Sequence, residues 1–463
     1  MPLCGGLHAT AQTPRPPLPL KLGTSTVTAR RPSHAMPFTS LGLSPALLRA
    51  VAASNFTAPT PIQIAAIPSA LQGRDVLGSA QTGSGKTAAF ALPILQALEG
   101  SMPSSARNKR VVQALILVPT RELAAQVGET IRSLAQHLPH PPHLASALKV
   151  TIVFGGVSIN PQMLGLRGGT DIVVATPGRL LDLVDHNAVD LGNVKTLVLD
   201  EADRLFDLGF ADELKRILTL LPTARQNLFF SATFPPAVEQ LVNTLLRDPV
   251  RVVIQREPLG PSGEPDITQR AIAVDAPRRT QLLRHLIEQN AWQRVLVFVA
   301  TKHAAEIVAE KLRKARINAE PFHGELSQGK RTQVLADFKA SRLKVVVATD
   351  VASRGLDIAE LPVVVNFDLP RSAVDYVHRI GRTGRAGETG LAVSFVSAAT
   401  EAHFYLIQKR QRIDLHLEHI EAFEPTEVAP DRGPVDGGIK GHRPNKKDKL
   451  RAAAALMQPK PLT

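Results

Sequence analysis

A chain of 463 residues has room for about two or three domains, and its 44% hydrophobic content is that of a globular protein, while its one cysteine, Cys4, excludes an intrachain disulfide framework or a multi-cysteine metal cluster. No apolar run of about eighteen residues occurs, so no membrane association is expected, and a reducing, cytoplasmic setting fits best. The formal charge of +13 is mostly terminal: residues 1–35 carry four basic and no acidic side chains, and residues 431–463 carry eight basic and three acidic. Such tails attract polyanions through counterion release, which makes nucleic acid the leading partner class and an anionic membrane surface the runner-up.

In chain order, residues 1–35 share the acid-free composition of a transit peptide, but six prolines oppose the amphipathic helix such a segment needs. They are expected to be a disordered extension, with folded sequence starting near Met36. From 36 to 254, apolar or β-branched runs at 114–118, 150–154, 171–175, 196–200, 227–231 and 252–254 alternate with helical patterns, the signature of a doubly wound parallel sheet. Residues 255–265 hold two glycines and three prolines and read as a linker. Runs at 271–274, 295–299, 344–348, 363–367 and 391–396 predict a second α/β domain over 266–424. A basic, flexible tail is expected over 425–463.

Two sites in the first domain carry chemistry. Ala80, Gln81, Thr82, Gly83, Ser84, Gly85, Lys86 and Thr87 match the phosphate-loop pattern apart from Ala80 in place of its first glycine. Gly83 and Gly85 permit the tight turn, backbone N–H groups cradle phosphates, Lys86 reaches the β and γ groups, and Thr87 is the expected Mg²⁺ ligand. The second site, Asp200, Glu201, Ala202 and Asp203, follows the apolar run Leu197–Leu199 and should lie at the C-terminal edge of a buried strand, where ligands of open α/β sheets bind. Asp200 is the expected metal holder and Glu201 the group that positions the attacking water. Arg379, Arg382 and Arg385, spaced by glycines, are candidates to stabilise the transferring phosphoryl group from the second domain, which requires domain closure.

Together these motifs resemble the DEAD-box RNA helicases of helicase superfamily 2, over about residues 38–400. The resemblance implies two tandem RecA-like domains, ATP and Mg²⁺ as cofactors, and RNA held mainly by its sugar-phosphate backbone. Phe38 and Gln63, in a segment similar to the adenine-recognising Q motif, are the positions implied to stack on and read adenine; Asn55 stands where glycine is usual. Pro119, Thr120 and Arg121, Gly155 and Gly156, and Thr176, Gly178 and Arg179 resemble the RNA-contacting elements of the first domain. Thr349 and Arg354 resemble those of the second, with Gln328 and Arg331 in a further RNA or interdomain motif and Asp350 and Asp357 in the cleft. Asp203, Ser231, Thr233 and His378 are implied to couple hydrolysis to strand separation. The activity implied is RNA-stimulated ATP hydrolysis that locally unwinds short duplexes or remodels ribonucleoprotein, by a monomer acting on ribosomal precursor or messenger RNA. The competing readings are an ATP-gated RNA clamp or assembly scaffold, and a DNA translocase of the same superfamily.

Overall fold

The computed structural model describes residues 26–29, 36–80, 83–99, 110–139, 148–254, 267–353, 361–384 and 389–427. The first sheet contains β1 (Thr26–Ala29), β2 (Val76–Ser79), β3 (Ala114–Leu117), β4 (Val150–Val153), β5 (Ile172–Ala175), β6 (Thr196–Asp200), β7 (Gln226–Ser231) and β8 (Val250–Ile254). Their spatial order is β1-β8-β2-β7-β6-β3-β5-β4, and every pairing is parallel. Helices cover both faces because alternate residues of one strand feed two separate cores. In β3, Ala114 and Ile116 join one core while Leu115 and Leu117 join the other. Burial on both faces is why these strands read as unbroken apolar runs.

The second sheet contains β9 (Ile267–Ala273), β10 (Val295–Val299), β11 (Ala319–Phe322), β12 (Val345–Thr349), β13 (Val363–Asn366), β14 (Gly390–Val396) and β15 (Leu417–Glu418), in the order β11-β12-β10-β13-β14-β9-β15. It too is parallel and doubly wound, with Val295, Val297 and Val299 on one face and Leu296 and Phe298 on the other. Parallel strands place all their C-terminal ends along one edge, and the motif-bearing turns collect there.

Four strands are not evident from apolar patterning. β2 is short and interrupted by Gly78, where the ring of Phe230 lies so close that a Cβ would come within 2.6 Å of it. β11 contains Pro321, tolerated because this strand is at the sheet edge. β15 has two residues and forms only against β9. β1 lies inside the expected disordered extension, yet its backbone pairs with the edge of β8, an outcome its β-branched Thr-Val-Thr favours. At the end of the expected second domain, Ile420 and Phe423 pack on its core, and at the start of the expected flexible tail the N–H groups of Thr426 and Glu427 donate to the Asp275 carboxylate at 2.9 and 3.0 Å. These bonds hold the Asp275 carboxyl below its ordinary range, the Thr426 N–H most of all.

Candidate functional site

The turn after β2 runs straight into the helix Lys86–Glu99. Gly83 and Gly85 have φ of 79° and 91°, the left-handed region that a side chain disfavours. At Gly85 there is a second reason for glycine, since a Cβ would lie 2.5 Å from Gln63 Nε2. Gln63 is buried, and each end of its amide makes one bond: Oε1 accepts from the Thr60 N–H at 3.0 Å and Nε2 donates to the Gly85 carbonyl at 3.0 Å. It thereby ties the helix Pro61–Leu71 to the phosphate loop. Ala80, in the place of the usual glycine, is buried and donates its N–H to Ser231 on β7 at 3.1 Å. Phe38 is buried in the first core, its ring edge-on to Phe56 with centroids 6.4 Å apart. Gln81 and Thr82 lie outside the described residues.

Lys86 is buried, donates to the Ala80 carbonyl at 3.1 Å, and stands 3.8 Å from Asp200 Oδ1. Thr87 follows it, half-buried on the first turn of the helix. Asp200 ends β6, and its Oδ1 accepts from the Glu201 N–H at 2.9 Å. Glu201 adopts φ 50° and ψ 51°, a left-handed conformation costing on the order of 1 kcal/mol in a non-glycine residue. Such strain is retained where it aims a side chain. Burial pushes both carboxyls above their ordinary range, opposed chiefly by the Lys86 ammonium; the Asp200 charge raises Glu201 further and the Arg382 guanidinium lowers it.

Asp203 is buried beside them and accepts from Thr233 Oγ1 at 2.6 Å and the Thr233 N–H at 3.0 Å. The Asp203 N–H donates to Ser231 Oγ at 3.2 Å, and that hydroxyl donates to the Thr233 carbonyl at 2.7 Å. Ser231 and Thr233 therefore lock onto the loop that carries Glu201.

The second domain reaches this cluster. Arg204 lies 3.9 Å from Asp375 across the domains, and the electrostatic field of Arg382 acts on Glu201. His378 is pushed down to about 4 by burial and by the Arg204 charge, with Asp203 and Asp375 opposing. Arg379 is corrected by the structure. It forms a two-pronged ion pair with Asp350 at 2.6 and 2.7 Å, bonds Asn366 Oδ1 at 3.1 Å and the Asp368 carbonyl at 2.6 Å, and lies over the Phe298 ring. Nε, Nη1 and Nη2 each donate within its own domain, so it packs that domain and is not a candidate for the phosphoryl group. Arg385 and Asp357 lie outside the described residues.

The elements resembling RNA contacts converge at the ends of β3, β4 and β5. Pro119 is buried; Thr120 caps the helix Arg121–Ala135, its hydroxyl accepting from Leu123 N–H at 3.3 Å. The Arg121 guanidinium lies against Gly156, where a Cβ would come within 2.0 Å of it. The Gly155 N–H donates to Thr176 Oγ1 at 3.4 Å, and Arg179 donates to the Val157 carbonyl at 2.7 Å. Gly155 and Gly178 face open space. Thr349 ends β12; Arg354 lies outside the described residues. One pairing was not readable from sequence: Glu122 accepts from Arg331 Nε at 2.7 Å and Gln328 Nε2 at 3.4 Å, joining the two domains through a buried ion pair. Partners about two hundred residues apart leave no local signal.

Comparisons with known proteins agree with this geometry. The DEAD/DEAH box helicase model matches residues 60–241, and the helicase conserved C-terminal domain model matches residues 278–387. The DEAD-box ATP-dependent RNA helicase CshA of Bacillus cereus is 40% identical over 360 residues, 78% of this chain and 65% of that protein, so the chain spans just under two thirds of that relative's length. RhpA of Helicobacter pylori, also named a DEAD-box ATP-dependent RNA helicase, is 36% identical over 416 residues, 89% of this chain and 79% of the relative. Among solved structures, Saccharomyces cerevisiae Dbp5 bound to RNA and ADP BeF3 aligns with a TM-score of 0.70 and 30% identity over 83% of this chain and 96% of that one. Both domains are thus RecA-like, and the chain belongs to the DEAD-box family of ATP-dependent RNA helicases.

Proposed function

We propose that this chain is an ATP-dependent RNA helicase in which RNA-stimulated hydrolysis of the ATP β-γ phosphoanhydride drives local, non-processive unwinding of short duplexes or remodelling of ribonucleoprotein. The observation that carries the reading is the burial of Lys86, Asp200 and Glu201 in one cluster with Arg382 of the second domain acting on Glu201. A phosphoryl-transfer site needs cations aimed at the transferring group and a group that orients water. Here the second kind of residue sits in one domain and part of the first kind in the other.

In this scheme the loop from Ala80 to Thr87 binds the phosphates, Lys86 holds the β and γ groups, Glu201 orients and accepts a proton from the attacking water, and Arg382 with Arg385 balances charge developing on the γ-phosphoryl. Phe38 and Gln63 select adenine. Thr87 and Asp200 fit Mg²⁺: the metal commonly uses one or two protein ligands together with phosphate and water, and burial leaves Asp200 in need of a cation. Bound Mg²⁺ supplies neutralisation of phosphate charge. Thr120, Arg121, Gly155, Gly156, Thr176, Gly178, Arg179, Thr349 and Arg354 hold the RNA backbone without reading bases, while Asp203, Ser231, Thr233 and His378 transmit closure. Among the described residues no helix is long and apolar enough to cross a membrane; we assign the protein to the cytoplasm as a monomer acting on ribosomal precursor or messenger ribonucleoprotein.

The test is multiple-turnover release of a short RNA duplex with ATP and with a non-hydrolysable analogue. ATP is expected to sustain turnover and the analogue a single round. Equal release under both conditions would make the protein an ATP-gated clamp, and equal ATPase stimulation by DNA and RNA of the same length would overturn the substrate assignment.

A further inference from the structure

The N-terminal edge of the first sheet, opposite the catalytic turns, carries a row of cations. In spatial order Arg247 precedes β8, Arg74 β2, Arg225 β7, Lys195 β6, Arg110 β3 and Lys149 β4, each within four residues of its strand. β5, between the last two, is preceded by an acid alone, Asp171, and acids also stand beside the cations before β2 (Asp75) and β8 (Asp248). With neighbouring strands about 4.8 Å apart, the row extends on the order of 30 Å. It is regular because the sheet spaces it.

Six cations face three carboxylates here, Asp75, Asp171 and Asp248, and two of the cations are ion-paired. Arg74 pairs with Asp248 at 3.4 Å, and Arg110 pairs with Asp171. The other four are held by neutral oxygens: Lys149 by the Arg167 carbonyl at 3.0 Å, Lys195 by Gln113 Oε1 at 3.0 Å, Arg225 by the Pro222 carbonyl at 2.6 Å, and Arg247 by the Thr223 carbonyl at 3.0 Å. The one other carboxylate at the strand starts, Asp75, accepts from the Asn227 and Arg247 N–H groups at 2.7 and 2.8 Å. Like charges are also set together. Burial and then Arg247 lower the Arg225 guanidinium, with Asp75 opposing, and burial and then Arg110 lower the Lys149 ammonium, with Asp171 opposing. Helix C-termini gather at this edge and favour some positive charge. That accounts for single cations; it does not account for a row across the sheet in which like charges repel.

We propose that this edge is a second RNA-binding surface, which holds the phosphate backbone of a duplex flanking the segment bound at the catalytic edge. The inference rests on the helicase reading above. Evenly spaced cations match a linear polyanion and read no sequence. Strands of four to six residues separate the two edges by on the order of 15–20 Å, so a short single strand occupies only the catalytic edge while a structured RNA reaches both.

The experiment compares the full chain with the double variant Lys195→Gln/Arg247→Gln, both sites exposed and outside the ATP cluster. ATPase stimulation by a ten-nucleotide strand is expected to be equal in the two proteins. Binding of the same strand joined to a twenty-base-pair hairpin is expected to weaken several-fold in the variant, with the slope of log K against log salt reduced by about 1.8. An unchanged affinity and slope for the hairpin RNA would overturn the proposal. Loss of binding to polyglutamate with hairpin binding intact would assign the edge to an acidic protein and also overturn it. If the short strand fails to stimulate the unmodified chain, the helicase reading itself fails, a result distinguishable from the other two.

Discussion

Glu201 is the residue at which conformation and chemistry are joined. Its left-handed backbone and buried carboxyl hold one polar group where it can orient water, at a cost a merely structural loop would avoid. In the proposed mechanism Glu201→Gln keeps the shape and removes the base, so ATP binding should persist while kcat falls about a hundredfold or more; single-turnover kinetics beside nucleotide titration would show the split. Lys86→Ala should weaken the nucleotide titration itself. His378 supplies a pH prediction. Its folded value is about 4 against an ordinary 6.5, so at neutral pH it is uncharged in both the closed and the open or unfolded forms, and its contribution to the closed form is fully present above pH 6.5. As pH falls toward 4 the open form takes up the proton first, and that contribution is lost. The pH dependence of the difference between wild type and His378→Gln in closure, followed by fluorescence between labelled domains, should therefore be confined to the window from pH 6.5 down to 4. A difference that stayed constant across this window would show that His378 acts through packing alone.

At the scale of elements, the apolar strands were legible because burial on both faces requires unbroken runs, as in β6 and β10. Strand β2 was not, although it leads into the phosphate loop. Its Gly78 weakens the pattern, and the reason for that glycine is the Phe230 ring on the neighbouring strand. Gly78→Ala should destabilise the first domain by about 1–3 kcal/mol, measured as a lower urea midpoint at unchanged slope. Arg379 shows the reverse case. Sequence spacing grouped it with Arg382 and Arg385, but one turn of the helix Ala373–Ile380 directs it inward onto Asp350, Asn366 and Asp368. Arg379→Gln should cost about 3 kcal/mol of stability, so its first readout is thermal unfolding of the second domain. Arg382→Gln should instead lower kcat without moving that transition.

For the whole molecule, the proposed function depends on a cleft between domains that polar contacts join among the described residues. The buried Glu122–Arg331 pair is one of them, and breaking it leaves an uncompensated charge. Glu122→Arg or Arg331→Glu alone should raise the RNA concentration needed for half-maximal ATPase several-fold, and the charge-swapped double variant should recover part of the loss; no recovery would mean that each residue acts separately. The sequence alone determined the two doubly wound domains, the phosphate loop and the carboxylates ending β6, because strand burial and phosphate binding impose local patterns on residue type. Tertiary structure alone decided that Gln63 is bonded to Gly85, that Thr233 locks Asp203, that Arg379 turns inward, that β1 joins the first sheet, that Thr426 and Glu427 are tied to Asp275, and that cations scattered over 174 positions form one row. These contacts join segments far apart in the chain, and only the packing of the two sheets determines which residues meet.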